Sequence, residues 1–147
     1  MIDNNADTSS NDVIRVFIVE DHANLRELLG MYCRMQDDIT LSGEAASAEE
    51  ALEILAELGD ELPTVGLIDL SLPGMNGIEL ITELRLRYPN MTCLILSGHK
   101  ERAYSQQALK AGACGYLLKG KPDEIAAAVR RAVAGEQVFS PELEFSQ

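Results

Sequence analysis

Four short apolar runs, each closed by a reactive polar residue, constrain the fold of this chain more than any other feature. Runs of this kind, separated by segments with helical periodicity, are typical of fully buried parallel strands. Ligands of open α/β sheets gather outside the carboxyl ends of such strands. We therefore predict an α/β protein that brings these polar groups to one rim of its sheet. The runs are Val16-Phe17-Ile18-Val19 before Glu20-Asp21, Gly66-Leu67-Ile68 before Asp69, Leu94-Ile95-Leu96 before Ser97, and Tyr116-Leu117-Leu118 before Lys119.

Length and composition favour a single ordinary globular domain. The chain has 147 residues, of which 46% are hydrophobic and 24% are charged, and its net charge is −12. Such a charge repels a polyanion, so we expect no direct binding to nucleic acid. We also expect no membrane span and no secretory signal, because no long apolar run exists and residues 1–12 are polar and acidic. Cys33, Cys93 and Cys114 lack metal-ligand spacing and predict reduced thiols in the cytoplasm.

The sequence predicts one domain over residues 13–135, built of five units that each consist of a strand followed by a helix. Residues 1–12 are predicted as a disordered tail, and residues 136–147 as a C-terminal tail or the start of a linker. The second strand, near residues 39–43, is predicted at a sheet edge because it brings no reactive group to the rim. The helix over about 101–110 is poorly amphipathic and is expected to pack weakly. Nucleotide-binding patterns of the Gly-x-Gly-x-x-Gly and Walker types are absent.

The predicted rim suits a divalent cation and a phosphoryl group. Glu20, Asp21 and Asp69 are hard oxygen ligands that repel one another unless a cation lies among them, and Mg²⁺ fits such a set. A carboxylate beside a metal can act as a nucleophile and carry a phosphoryl group, and Asp69 has the central position. Lys119 would neutralise the added charge. The Ser97 hydroxyl could donate to another phosphoryl oxygen.

Four motifs carry a resemblance to a known family, and they extend over most of the chain. They are Glu20-Asp21, Asp69-Leu70-Ser71-Leu72-Pro73-Gly74-Met75-Asn76-Gly77-Ile78-Glu79, Ser97-Gly98 and Gly115-Tyr116-Leu117-Leu118-Lys119. With them, residues 14–134 resemble the receiver domain of bacterial two-component response regulators. The resemblance implies a flavodoxin-like, doubly wound parallel sheet of five strands in the order 2-1-3-4-5, flanked by five helices.

The same resemblance implies a role for each matching residue. Asp69 corresponds to the phosphoacceptor, and Glu20, Asp21, Asp69 and the backbone carbonyl of Ser71 to the groups that arrange Mg²⁺. Ser97 and Lys119 match the hydroxyl and the lysine that sense the phosphoryl group, and Tyr116 matches the aromatic switch residue.

The implied partner is a histidine kinase as phosphoryl donor, and formation of a homodimer on phosphorylation stays open. The implied activity is switched partner binding without turnover of an external substrate. We predict that Ser97 moves toward the phosphoryl oxygen, that Tyr116 fills the vacated space, and that the fourth helix shifts with it. His22 and His99 are expected to be exposed loop residues and not metal ligands.

The output and one competing activity stay open. Residues 134–143 look like the end of receivers of the NarL/FixJ-type subfamily, in which a DNA-binding domain usually follows. The chain is thus interpreted as the receiver part of a transcription regulator, with a stand-alone receiver acting through protein contacts as the alternative. The competing activity is a phosphohydrolase with Asp69 as nucleophile. Such enzymes commonly place a second aspartate two residues later, where this chain has Ser71.

Overall fold

Strands and helices alternate along the chain in the computed structural model, which describes residues 13–99 and 101–140. The elements are β1 (Ile14–Val19), α1 (Ala23–Arg34), β2 (Ile39–Ala45), α2 (Ala48–Ala56), β3 (Val65–Asp69), α3 (Gly77–Arg87), β4 (Thr92–Ser97), α4 (Arg102–Ala111), β5 (Gly115–Leu118), α5 (Ile125–Val133) and β6 (Val138–Phe139). A short 3₁₀ turn, Pro122–Glu124, leads into α5. All strand pairings are parallel, and the sheet order is β2-β1-β3-β4-β5-β6.

The prediction of a five-stranded sheet is wrong by one strand. The order of the first five strands is as predicted, but β6 pairs with β5 through Gly115 opposite Val138 and Tyr116 opposite Phe139. A run of two residues carries too little periodicity to be recognised as a strand. It becomes one because the edge of β5 offers hydrogen bonds, among them Val138 N to Cys114 O at 3.0 Å.

Two hydrophobic clusters, one on each face of the sheet, explain why the central strands are apolar throughout. Alternate residues of a strand point to opposite faces, so Phe17 and Val19 join one cluster while Val16 and Ile18 join the other. Helices α2, α3 and α4 cover the first face, and α1 and α5 cover the second. This sandwich of sheet and helices leaves the carboxyl ends of the strands as the place where polar groups collect.

The helix boundaries follow local signals. Ser47 caps α2, and its hydroxyl accepts a hydrogen bond from Glu50 N at 3.1 Å, as the capping signature predicts. Asn76 and Glu79 form a reciprocal capping box at the start of α3. Helix α4 buries only Ser105 and Ala108, in agreement with its weak apolar face.

Two of the three cysteines are buried, and the third is partly buried. Cys33, Cys93 and Cys114 are free thiols. Burial raises the pKa of Cys33 to about 11 and that of Cys93 to about 12, so both stay protonated at neutral pH. Among the described residues, no helix is both long and apolar enough to cross a bilayer.

Candidate functional site

Three charged side chains meet at the carboxyl ends of β1, β3 and β5. Lys119 Nζ lies 3.0 Å from Asp69 Oδ1 and 3.2 Å from Glu20 Oε1. The Glu20 and Asp69 side chains are 0% and 1% exposed, whereas that of Lys119 is 21% exposed. Strands β1 and β3 are neighbours, so their ends bring the two acids together, and the long lysine side chain reaches them past the end of β4. The structure thus brings together three of the predicted site residues in direct contact.

The two oxygens of the Asp69 carboxylate have different surroundings. Oδ1 accepts a hydrogen bond from Ser71 N at 3.0 Å and contacts the Lys119 ammonium. Oδ2 is buried and has no hydrogen-bond partner within the described part of the chain. Buried polar atoms are nearly always paired, and an unpaired one is costly. Oδ2, like the buried Glu20 Oε1, is therefore a rim atom that requires a ligand.

The charges in the site set the protonation of these groups. Burial, with the Glu20 charge adding to it, raises the pKa of Asp69 from its ordinary value of 3.8 to about 6, although the Ser71 amide and Lys119 oppose the shift. Burial alone would lower the pKa of Lys119, but its contacts with Asp69 and Glu20 outweigh that effect and raise it. At neutral pH, Asp69 is mostly a carboxylate and Lys119 an ammonium.

The loop after β3 holds Asp69 in place from the backbone side. Leu70 N donates to Leu96 O at 2.9 Å, and Gly77 N donates to Leu70 O at 3.0 Å. A Cβ atom at position 77 would overlap the carbonyl oxygen of Asp69 and lie 2.9 Å from Leu70 Cα. Only glycine therefore lets the first turn of α3 close on the end of β3. The sequence shows Gly77 as a turn residue, but its contact with Asp69 needs the folded loop.

The acid pair after β1 continues into His22. His22 Nδ1 lies 3.3 Å from Glu20 Oε2 and 3.6 Å from Asp21 Oδ1, and one ligand atom from each of the three residues falls within 4.8 Å of the others. Burial of Asp21 opposes its ionisation, yet the neighbouring Asp69 carboxyl and its own backbone lower the pKa of Asp21. His22 is exposed, as predicted, but its ring faces the acids.

The residues present fit a hard divalent cation. The carboxylates of Glu20 and Asp21 converge with His22 at the rim, and the Asp21 carboxyl interacts with that of Asp69. Carboxylate oxygens are the ligands that Mg²⁺ prefers. For Ser71, the contact seen is that of its amide with Asp69.

Ser97, Tyr116 and the backbone of His99 form a second, uncharged part of the site. Ser97 and Tyr116 are 1% and 0% exposed. Ser97 Oγ accepts a hydrogen bond from His99 N at 2.9 Å, and the Tyr116 hydroxyl donates to His99 O at 2.9 Å. Burial raises the pKa of the Tyr116 phenol, and a hydrogen bond with Ser97 opposes this shift. His99 is exposed as predicted, but its backbone joins the two side chains, which no local sequence signal indicates.

A shallow cleft borders the site on the side of α4. Its volume is about 250 Å³, and Ser71, His99 and Tyr104 are among the residues that line it. The ring of His99 lies 4.7 Å from that of Tyr104, measured between centroids. The cleft leaves open space next to the loop that follows Asp69.

Comparison with known proteins places this geometry in a family. Residues 16–130 match the family described as "Response regulator receiver domain". The chain is 38% identical over 135 residues to the uncharacterized transcriptional regulatory protein YvfU of Bacillus subtilis (strain 168), covering 91% of this chain and 66% of that protein. It is 36% identical over 138 residues to the nitrate/nitrite response regulator protein NarL of Escherichia coli (strain K12), covering 92% of this chain and 62% of that protein.

Comparison with solved structures agrees with the sequence relatives. The chain resembles the crystal structure of a two-component response regulator of the LuxR family from Aurantimonas sp. SI85-9A1, with a TM-score of 0.81 and 32% identity, covering 88% of this chain and 91% of the other. The chain spans slightly less than two thirds of the length of the two curated relatives. This chain belongs to the receiver domain family of two-component response regulators, and its relatives are regulators of the NarL and LuxR type.

Proposed function

We propose that this receiver is switched by transfer of a phosphoryl group from a histidine kinase to Asp69, in a reaction that depends on Mg²⁺. The observation that carries the proposal is the asymmetry of the Asp69 carboxylate. Oδ1 is held by the Lys119 ammonium and the Ser71 amide, while Oδ2 is buried without a partner. The contacts of Oδ1 fix the orientation of the Asp69 carboxylate, and Oδ2 is the nucleophile.

In the proposed reaction, Asp69 Oδ2 forms a bond to phosphorus as the phosphorus–nitrogen bond of a phosphohistidine breaks. The electron pair of that bond stays on the imidazole, which takes up a proton from solvent. The acyl phosphate brings nearly two negative charges into an acidic site. Lys119, 3.0 Å from Oδ1, is the counter-charge within reach.

The proposed switch passes through Ser97. Its hydroxyl now accepts a hydrogen bond from His99 N, and the carbonyl of the same residue accepts one from the Tyr116 hydroxyl. If Ser97 turns toward a phosphoryl oxygen, these contacts change, and so do the contacts of Tyr116, whose hydroxyl holds His99 O. The start of α4, which follows His99 in the chain, is then free to shift, and few buried residues of that helix resist the movement.

We assign the Mg²⁺ ligands to the carboxylates of Glu20, Asp21 and Asp69 and the backbone carbonyl of Ser71. The ion, when bound, neutralises the acid cluster and polarises the phosphoryl oxygens. The chain's own contribution is to gather the carboxylates at the ends of β1 and β3 and to exclude water around Glu20 and Asp69, which are buried.

Phosphorylation of Asp69 is tested with acetyl phosphate and Mg²⁺. The wild type is expected to gain one hydroxylamine-labile phosphoryl group by intact-protein mass spectrometry, and Asp69→Asn is expected to gain none, because the amide lacks the nucleophilic oxygen. Asp60→Asn, in an exposed loop, is the matched control and should behave as wild type. Unchanged incorporation in Asp69→Asn, or steady hydrolysis of an added phosphomonoester, would contradict the proposal.

Removal of divalent cations should stop phosphoryl uptake, and addition of Mg²⁺ should restore it. Asp21→Asn is expected to weaken Mg²⁺ binding by at least about tenfold, because one anionic ligand is lost. Isothermal titration calorimetry is the suitable measurement, since the chain has no tryptophan. A Mg²⁺ affinity that Asp21→Asn leaves unchanged would remove Asp21 from the ligand set.

The output of the switch is proposed from the relatives. YvfU is described as a transcriptional regulatory protein and NarL as a response regulator, and the chain corresponds to about two thirds of each. We propose that phosphorylation changes how this receiver binds protein partners, including a second copy of itself, in a cytoplasmic transcription regulator. The receiver is a signalling module in this scheme, and the only chemistry at Asp69 is its own phosphorylation and dephosphorylation.

A further inference from the structure

We propose that Ser140 and strand β6 are part of the phosphoryl site, because they hold from outside the backbone that carries Lys119. Ser140 is a positioning residue in this scheme, and it lies beyond residues 16–130 that match the family. The inference rests on the proposed phosphorylation of Asp69. It adds a segment that the sequence analysis assigns to a tail or linker.

The peptide that leads into Lys119 is held from two sides. Lys119 N donates to Ser97 O at 2.9 Å, toward β4. Leu118 N points the other way and donates to Ser140 Oγ at 2.9 Å. The end of β5 is thus fixed between β4 and Ser140. The acceptor for Leu118 N is a side-chain oxygen of Ser140, because strand β6 itself ends at Phe139.

Ser140 is well placed for this role. It is only 3% exposed, and its own N–H donates to Tyr116 O at 3.2 Å. Val138 N donates to Cys114 O at 3.0 Å on the same edge. These bonds lie on both sides of the switch residue Tyr116, so β6 and Ser140 follow any movement of β5.

Gly115 makes this pairing possible. A Cβ atom at position 115 would overlap the carbonyl oxygen of Val138 and lie 2.9 Å from Leu94 Cδ2. Only glycine at position 115 therefore lets β6 approach β5 closely enough to pair with it. The edge of β5 is thus shaped to receive this segment.

The link from Ser140 to the chemistry runs through the backbone at position 118. Leu118 is buried, so without the Ser140 hydroxyl its N–H has no water to replace the lost acceptor. The carboxyl end of β5 must then shift or loosen. Lys119 makes short contacts with Asp69 and Glu20, and charge-assisted contacts of this kind depend strongly on distance and direction.

Thermodynamic reciprocity supplies a second expectation. If docking of β6 and Ser140 favours the geometry in which Lys119 meets a phosphoryl group, the phosphoryl group must favour docking of β6 by the same factor. The segment after α5 then becomes more firmly held when Asp69 is phosphorylated. It can pass that change to any part of the protein connected through residue 140.

Three serine variants test the inference, with beryllofluoride and Mg²⁺ as the phosphoryl mimic. Ser140→Ala is expected to weaken beryllofluoride binding by about five- to tenfold, the loss that one buried hydrogen bond supports. Ser140→Thr keeps the hydroxyl and is expected to restore affinity to within about twofold. The control is Ser42→Ala, because the Ser42 hydroxyl donates to Val16 O at 3.3 Å, between β2 and β1 and away from both β5 and α4. It should bind as wild type.

Hydrogen exchange of the wild type gives a readout that needs no variant. Beryllofluoride is expected to slow exchange at the amides of Val138 and Ser140, while unchanged exchange at both would overturn the inference. A Ser140→Ala protein that unfolds more easily yet binds beryllofluoride with wild-type affinity would also overturn it, since Ser140 would then serve stability alone. Failure of the wild type to bind beryllofluoride, or to be phosphorylated on Asp69, would instead overturn the proposed function.

Discussion

Replacement of Gly77 by alanine should lower the free energy of unfolding by about 3 kcal/mol, the upper end of the range for forcing an atom into a packed site. The new Cβ would overlap the Asp69 carbonyl oxygen and lie within 3.0 Å of the Asp69 carbonyl carbon. These are backbone atoms, which cannot rotate away as a side chain can. The β3–α3 loop must shift, and Asp69 shifts with it.

The sign of this effect distinguishes packing from helix propensity. Gly77 is the first residue of α3, and propensity alone would make alanine more stable by up to about 1 kcal/mol. Urea unfolding at neutral pH measures the difference. Gly98→Ala is the matched control, because a Cβ there meets nothing within 4 Å. An alanine variant at position 77 as stable as wild type would show that the loop accommodates the methyl group.

The second large effect is a gain of stability on replacing the phosphoacceptor. Asp69→Asn should raise the free energy of unfolding by about 3 kcal/mol at pH 7.5 and change it little near pH 4. Burial raises the pKa of Asp69 to about 6, against 3.8 for the ordinary carboxyl, so the folded protein disfavours the ionised form. The asparagine amide carries no charge and escapes this penalty.

The pH dependence follows from where the folded and unfolded states lose the proton. Below about pH 4 both states keep it, and the carboxyl contributes no penalty. Between pH 4 and 6 the unfolded chain releases it first, which favours unfolding, and above pH 6 the penalty is complete. Urea unfolding across this pH range, without divalent cations, measures the free energy of unfolding of the wild type and of Asp69→Asn. The exposed Asp60→Asn is the control.

Two further results would bear on the same prediction. Mg²⁺ should stabilise the wild type more than Asp69→Asn, because the ion favours the ionised carboxylates. A wild type more stable than Asp69→Asn at pH 7.5 without divalent cations would mean that the contact with Lys119 outweighs burial. Ionised Asp69 would then not destabilise the folded protein, and Mg²⁺ would have no such cost to relieve.

Much of the fold was predictable because its signals are local. The apolar runs of β1, β3, β4 and β5, and the capping by Ser47, can be seen within a few neighbouring residues, and each was found where predicted. The candidate site shares this advantage, since Glu20, Asp69 and Lys119 follow such runs directly. Strand β6 was missed because two residues have no period, and its pairing depends on a glycine in another strand.

The sequence by itself determined which residues stand at the strand ends and the parallel α/β class, because the spacing of apolar residues is a property of short segments. Only the tertiary structure decided that Lys119 and Ser71 hold one oxygen of Asp69 and leave the other unpaired. It alone also joined Ser140 to the end of β5. These contacts join residues far apart in the chain, or select one atom of a symmetric group, and their free energies depend on distances that no local pattern contains.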